Sequence, residues 1–393
     1  MRRGAVVTVA SVLALALLGL GLGGWYYSDE ILEAPTAGDP VYDLTLTDVD
    51  PSSGTVTLDA TSGSDATLTT VGVRTDDALL LLDGPPRDTD DGVRRTAVLV
   101  QGDWPEPGDA ATTTVHAYDG SPGEVLGLAH DEIRVRGELG DLPAWRVIPA
   151  GAADTTWVVI VHGRGSGLTE GNRLLPTLDR VGLPSLSISM RNTPGANRDP
   201  DGYGYYGDTE WVDVDAAVRH LVEMEGAEEV VVAGFSQGAS TAMTFLRRSE
   251  LAGHVSGLVL ISPLVSLEET LAVQAADRDV PAVLAPALLT TARWIATARS
   301  GLDFDALEHH EHVDEIPADV PVLLTHGADD RAVPVGPTRR LARALGDQAV
   351  FVEYPGTGHV REWNADRRRF ESDLAGFLTD EVLTDDAPTA GSR

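Results

Sequence analysis

The chain predicts an α/β fold in which a mainly parallel sheet is covered by helices. Three observations carry that expectation. From about His130 onward, eight apolar strand-like runs alternate with amphipathic helical patterns. One of those runs breaks into Gly234-Phe235-Ser236-Gln237-Gly238, a turn of small residues at a strand-to-helix junction. Two later runs end in loops holding Asp329-Asp330 and His359, at the carboxyl ends where open α/β sheets place ligands.

Taken in order, Arg2 and Arg3 come first, followed by residues 4–28 without a charge and rich in Val, Leu, Ala and Gly. That run is long enough to cross a bilayer as a helix. Trp25, Tyr26 and Tyr27 stand where an interfacial aromatic belt belongs, and Asp29 and Glu30 follow. Residues 1–28 are therefore expected to form a single transmembrane anchor, with the rest of the chain outside the cytoplasm. The alternative is a cleaved signal peptide and secretion. The run is longer than a usual signal core, and Gly21-Leu22-Gly23 is a mediocre cleavage site. Cysteine is absent, which removes a lipid-modified terminus, disulfides, thiol nucleophiles and Cys-ligated metal.

Residues 29–129 are rich in Thr, Asp, Gly and Val, with alternating stretches at 41–47, 55–60, 68–73 and 93–100 that read as strands. Asp50-Pro51, Gly84-Pro85-Pro86 and Trp104-Pro105 punctuate them as turns. This is a small β-rich region without a titratable cluster suited to chemistry, either a spacer or a cover for the catalytic face.

Residues 130–380 carry the α/β pattern. Strand-like runs lie at 131–136, 144–149, 157–162, 185–190, 229–235, 255–262, 320–326 and 349–354, with helical patterns at 210–225, 237–249, 338–345 and 362–378. Unbroken apolar stretches such as Val230-Val231-Val232-Ala233 suit strands buried on both faces. An insertion at about 263–315, apolar at 264–271 and 280–298, is longer than a direct strand–helix–strand link needs. It reads as a cap over the site or as helices packed on the sheet. Residues 381–393 are polar and expected to be disordered.

Composition narrows the function. With 61 acidic against 29 basic side chains and a formal charge of −32, a nucleic-acid partner is excluded, because phosphate neutralisation needs clustered cations. Every basic side chain is Arg. Without a Lys amine there is no phosphate-loop nucleotide site, pyridoxal Schiff base, kinase core or Ser-Lys dyad.

A Gly-x-Ser-x-Gly turn needs small flanking residues because it is sharp and strained, and it lifts the Ser236 hydroxyl above the sheet. A serine hydroxyl needs a base, and the base needs a carboxylate to orient it. Asp330 follows one late strand and His359 the next, in the chain order acid then histidine; no histidine follows residue 359. Asp329 is the competing acid. Upstream, the 157–162 run enters Gly163-Arg164-Gly165-Ser166-Gly167, whose backbone can approach a substrate oxygen. The backbone N–H groups of Arg164 and Gln237 are then the candidate oxyanion donors. The cluster at 308–312 invites a metal, but Asp314 stands where a zinc peptidase would place its second His, and a polar loop is the expected identity.

These motifs resemble the α/β-hydrolase superfamily over about residues 131–378. His326-Gly327-x-x-Asp330-x-x-Val333-Pro334 is similar to the acid loop of its serine aminopeptidase and monoacylglycerol-lipase-like branch, a register that favours Asp330 over Asp329. The stretch from Arg191-Asn192-Thr193-Pro194 to Thr209-Glu210-Trp211 looks like a group of membrane-anchored actinobacterial hydrolases. The resemblance implies an eight-stranded α/β-hydrolase sheet with a cap and a serine hydrolase using Ser236, Asp330 and His359 without cofactor or metal. A carboxylic ester, lipid-like or small and apolar, is the expected substrate. A serine peptidase of the same fold is the alternative, and an inactive membrane-anchored binding scaffold is the alternative outside enzymology.

Overall fold

The computed structural model describes residues 2–34, 40–61, 64–152, 155–278 and 280–383. The expected tail lies outside the described residues from 384 on, as do the side chains at 2–10, 12, 13 and 16. Helix α1 (Arg2–Leu32) takes up the uncharged run and continues through Asp29 and Glu30. Among the described residues, no helix is long and apolar enough to cross a membrane, so the span expected over 1–28 is not shown.

Strands β1 (Leu44–Asp50), β2 (Thr55–Leu58), β3 (Thr70–Arg74), β4 (Ala78–Asp83), β5 (Arg87–Thr89), β6 (Gly92–Gly102) and β7 (Ala110–Thr114) form one antiparallel sheet. Its order is β2-β1-β7-β3-β4-β6-β5, and a further β2–β6 pairing closes it into a small barrel. Closure satisfies backbone groups that an open edge would leave unpaired. Strand β4 was not expected, because Leu79-Leu80-Leu81-Leu82 lacks alternation. The structure supplies the reason: Leu80 and Leu82 fill the barrel with Val56, Leu58 and Val71, while Leu79 and Leu81 join the core of the larger sheet. Both faces are buried, so both faces are apolar. The barrel is thereby fused to the rest of the chain, with the short helix α2 (Pro122–Leu126) at the junction.

The second sheet contains β8 (His130–Arg136), β9 (Asp141–Val147), β10 (Thr156–Val161), β11 (Ser185–Ile188), β12 (Glu229–Phe235), β13 (Val255–Ile261), β14 (Val322–Gly327) and β15 (Ala349–Tyr354). Their order is β15-β14-β13-β12-β10-β11-β9-β8. From β10 through β15 neighbours are parallel; at one edge β9 alone runs the opposite way, pairing antiparallel with β11 on one side and with β8 on the other. The connecting helices are α3 (Leu175–Val181), α4 (Trp211–His220), α5 (Gln237–Arg248), α6 (Leu267–Asp277), α7 (Ala285–Ser300), α8 (Val335–Leu345), α9 (Glu362–Ala365) and α10 (Arg367–Phe377).

Alternate residues of each central strand serve opposite cores. Val230 and Val232 of β12 pack with α4 and α5, whereas Val231 and Ala233 pack with Leu175, Phe370 and Leu374 of α3 and α10. Each fully buried aliphatic side chain contributes about 1.5–3 kcal/mol. The barrel sits on the second of these faces. The insertion between β13 and β14 supplies α6 and α7, which pack with Ile31 and Leu32 at the end of α1 and with Tyr205 and Tyr206. Gly24 lets α1 approach α7 closely: a Cβ there would lie 2.5 Å from Thr291 Cγ2. Arg299 of α7 stacks over Trp25 at 4.5 Å and pairs with Asp29 at 2.6 Å, which pins the end of α1 to the insertion.

Candidate active site

Ser236 ends β12 and opens α5 at φ 49°, ψ −110°, in the left-handed half of backbone space. For a side-chain-bearing residue that costs on the order of 1–3 kcal/mol, offset by the surrounding packing. The flanking glycines are required by space. A Cβ on Gly238 would lie 2.3 Å from Val161 O, and one on Gly234 would lie 2.5 Å from Gly238 O. The turn is fixed by Ser236 N–H donating to Ile261 O at 2.9 Å and Leu264 N–H donating to Ser236 O at 3.2 Å.

The structure brings three of the expected residues together from loops far apart in sequence. His359 Nε2 lies 2.9 Å from Ser236 Oγ, and His359 Nδ1 lies 2.6 Å from Asp330 Oδ2. The carboxylate accepts only, so Nδ1 carries the proton and Nε2 is free to accept the serine hydroxyl. Asp330 is saturated: Oδ1 accepts the N–H groups of Ala332 and Val333, both at 2.9 Å, and Oδ2 also accepts His326 Nε2–H at 3.1 Å. Asp329, by contrast, is exposed, and its own N–H is spent on Thr357 O. His326 appeared in the sequence only as a motif letter. It is fully buried, donates from Nε2 and accepts Thr338 Oγ1–H on Nδ1 at 2.9 Å, so it presents one fixed tautomer to Asp330.

Burial alone would raise the Asp330 carboxyl, but hydrogen bonds from His326 and His359 and the charge available on His359 outweigh it. They hold the group well below the usual carboxylate range. A carboxyl depressed in the folded state stabilises the fold fully above its unfolded value, about pH 4, and that stability is lost as pH falls through the folded value. Unfolding free energies of wild type and Asp330→Asn should therefore differ most at neutral pH and draw together below about pH 3 in urea titrations. A gap that stays constant with pH would contradict this.

The loop after β10 carries Arg164, one of the two candidate oxyanion donors. Gly163 N–H donates to Glu170 Oε2 at 2.7 Å, which occupies that donor and aims the next one. Among the described residues, neither Arg164 N–H nor Gln237 N–H has a protein acceptor. Both residues line a cavity of about 20 Å³, room for roughly one water-sized group. His162 holds the loop from beneath: Nδ1–H donates to Gly163 O at 2.8 Å, and Nε2 accepts Met190 N–H at 3.2 Å. Burial lowers the His162 pKa, consistent with this neutral tautomer. The Arg164 side chain turns away from the serine. It stacks on Tyr206 at 4.8 Å, donates to Tyr206 Oη at 2.8 Å, and reaches Glu33 O beyond α1.

Glu170 was absent from the sequence reading and Glu210 appeared there as part of a resembling stretch, with no role; only their place in glycine-rich loops after strands could have signalled them. Glu210 is buried and accepts the N–H groups of Tyr205 and Gly207, both at 2.8 Å, with the Gln237 side chain nearby at 3.4 Å. The histidine cluster at 308–312 does not converge. His309 turns inward to Ser240 Oγ at 2.8 Å, while His312 pairs with Glu315 at 2.7 Å.

A family model described as serine aminopeptidase, S33, matches residues 153–318 of this chain. Among solved structures, an esterase of Pyrococcus furiosus superposes with a TM-score of 0.53 at 20% identity, covering 67% of this chain and 95% of the esterase. A second crystal form of it gives 0.53 at 19% identity, covering 67% and 96%. Est1E of Butyrivibrio proteoclasticus, with ferulic acid bound, gives 0.49 at 16% identity, covering 64% and 100%. The Pyrococcus likeness, over 67% of this chain, supports an α/β-hydrolase fold.

Proposed function

We propose that the protein is a serine hydrolase that cleaves carboxylic esters through an acyl-enzyme. The observation that carries this reading is the line Ser236–His359–Asp330 beside two backbone donors without acceptors. His359 Nε2 takes the Ser236 proton as Oγ attacks the carbonyl carbon, and Asp330 stabilises the imidazolium that forms. Arg164 N–H and Gln237 N–H hold the tetrahedral oxyanion; a donor of this kind typically contributes about 3 kcal/mol to lowering the barrier. The C–O bond then breaks, the alcohol leaves with the proton from His359, and the acyl group stays on Ser236. Water attacks the acyl-enzyme, gives its proton to His359, and releases the acid as Ser236 regains its hydrogen.

An apolar ester is supported by the insertion. A cleft of about 520 Å³ lies between α6 and α7, lined by Leu271, Val280, Leu289, Trp294 and Phe304 among others. Leu271 and Leu289 also line a smaller cavity of about 50 Å³ that reaches Arg164. Supporting a lipid surface as the setting, Leu15, Leu18, Leu22, Trp25 and Tyr26 stand exposed on α1. The charge order around residues 4–28 would put the catalytic part outside the cytoplasm. The second reading, a serine aminopeptidase, is favoured by the matched family model. Turnover of p-nitrophenyl esters of increasing chain length, monoacylglycerols and aminoacyl amides separates the two. The ester reading predicts ester turnover that rises with acyl length; faster turnover of aminoacyl amides would replace it with the peptidase.

A further inference from the structure

The barrel formed by β1–β7 touches both loops that the chemistry uses. Arg361, two residues after His359, donates from Nη1 to His359 O at 3.0 Å. Its guanidinium is aimed from the barrel by Asp65, in the turn between β2 and β3, through two parallel bonds: Nε to Oδ1 and Nη2 to Oδ2, both 2.8 Å. Bidentate pairing fixes orientation as well as position. The opposite arm reaches the oxyanion loop. His116, in the segment after β7, lies 2.9 Å from Ser166 Oγ and 3.9 Å from Glu170, the carboxylate that holds Gly163 N–H. Between the two arms, Asn364 Nδ2 donates to Thr70 O and Val115 O of the barrel, both at 3.0 Å.

We propose that Asp65 is a positioning residue for His359, acting through Arg361, and that the barrel is a working part of the active site and not a spacer. This rests on His359 being the catalytic base. Both Asp65 and Arg361 are about one-third exposed, at 33% and 31%. A pair of that exposure adds little to folding stability, so its use is geometric. From the catalytic domain the loop is held by Ser262 Oγ accepting Val360 N–H and by Arg173 donating to Val360 O, both at 3.0 Å. The first of these holds the N–H of the same planar peptide group whose carbonyl Arg361 holds, so Ser262 and Arg361 grip that group from its two sides.

The test uses the full chain with Asp65→Ala, Asp65→Asn and Asp65→Glu. Asp83→Asn serves as a control, because the Asp83–Arg367 pair at 3.8 Å crosses the same interface without reaching either loop. The readouts are kcat and KM on a p-nitrophenyl ester, the rate of fluorophosphonate labelling, and the thermal midpoint. Asp65→Ala and Asp65→Asn should lower kcat and the labelling rate about tenfold, the size of effect expected from a misplaced base. KM and thermal midpoint should hold, Asp65→Glu should recover most of the rate, and Asp83→Asn should match wild type. Unchanged rates in Asp65→Asn overturn the proposal, as does an equal loss in Asp83→Asn or a loss that follows the thermal midpoint. A wild type that never labels at Ser236 overturns the triad reading and this one with it. A wild type that labels at the same rate as Asp65→Asn overturns this one alone.

Discussion

Ser236→Ala and His359→Ala should each lower ester turnover by about ten-thousand- to million-fold while the protein stays folded, if the proposed ester hydrolysis is correct. The size follows from the geometry. Ser236 Oγ sits 2.9 Å from the only ring nitrogen of His359 that can accept its proton, the other being committed to Asp330. Without Oγ no acyl-enzyme forms; without the imidazole the hydroxyl attacks as a neutral, weak nucleophile. Because the two groups act as one unit, the double variant should be no slower than either single one. Alanine at 236 inherits the same φ of 49°, so the thermal midpoint should move little. Steady-state rates on an activated ester, beside thermal melts, check both statements. Retention of more than a few per cent of the rate in either single variant would exclude the proposed roles.

The second large effect is Asp330→Asn, expected to cost about a hundred- to ten-thousand-fold in kcat. An amide at that position offers Nδ2–H toward His359 or His326, both of which already donate to the carboxylate. The imidazole then flips its tautomer or loses its partner, and Ser236 faces an N–H instead of a lone pair. Asp329→Asn should leave kcat within about twofold, since that side chain is exposed and makes none of these bonds. The paired comparison also measures the register of the acid loop directly. A large loss in Asp329→Asn with a small one in Asp330→Asn would reverse the assignment.

The parts of the molecule legible from sequence are those whose cause is local. The Gly234–Gly238 turn was readable because its backbone leaves no room for a Cβ at Gly234 or Gly238, and the 230–235 run because a strand buried on both faces is apolar. The loops of Asp330 and His359 were readable because each directly follows an apolar strand. What was not legible depends on distant pairings. Closure of the barrel rests on β2 meeting β6, and β4 hid its strand character because its outer face belongs to another core. The Asp65–Arg361 pair joins residues 296 positions apart, with no spacing or periodicity to announce it. The seating of α1 on α7 is of the same kind, set by Gly24 and Arg299 meeting across the fold.

The central claim is that Ser236 is an activated nucleophile, and one measurement addresses it without choosing a substrate. The full chain is treated with a fluorophosphonate and analysed by intact-mass and peptide mass spectrometry, beside Ser236→Ala. One adduct per chain, mapped to the peptide containing Ser236 and absent from the variant, is the predicted result. A folded wild-type protein that stays unmodified, or an adduct that persists in Ser236→Ala, would contradict it.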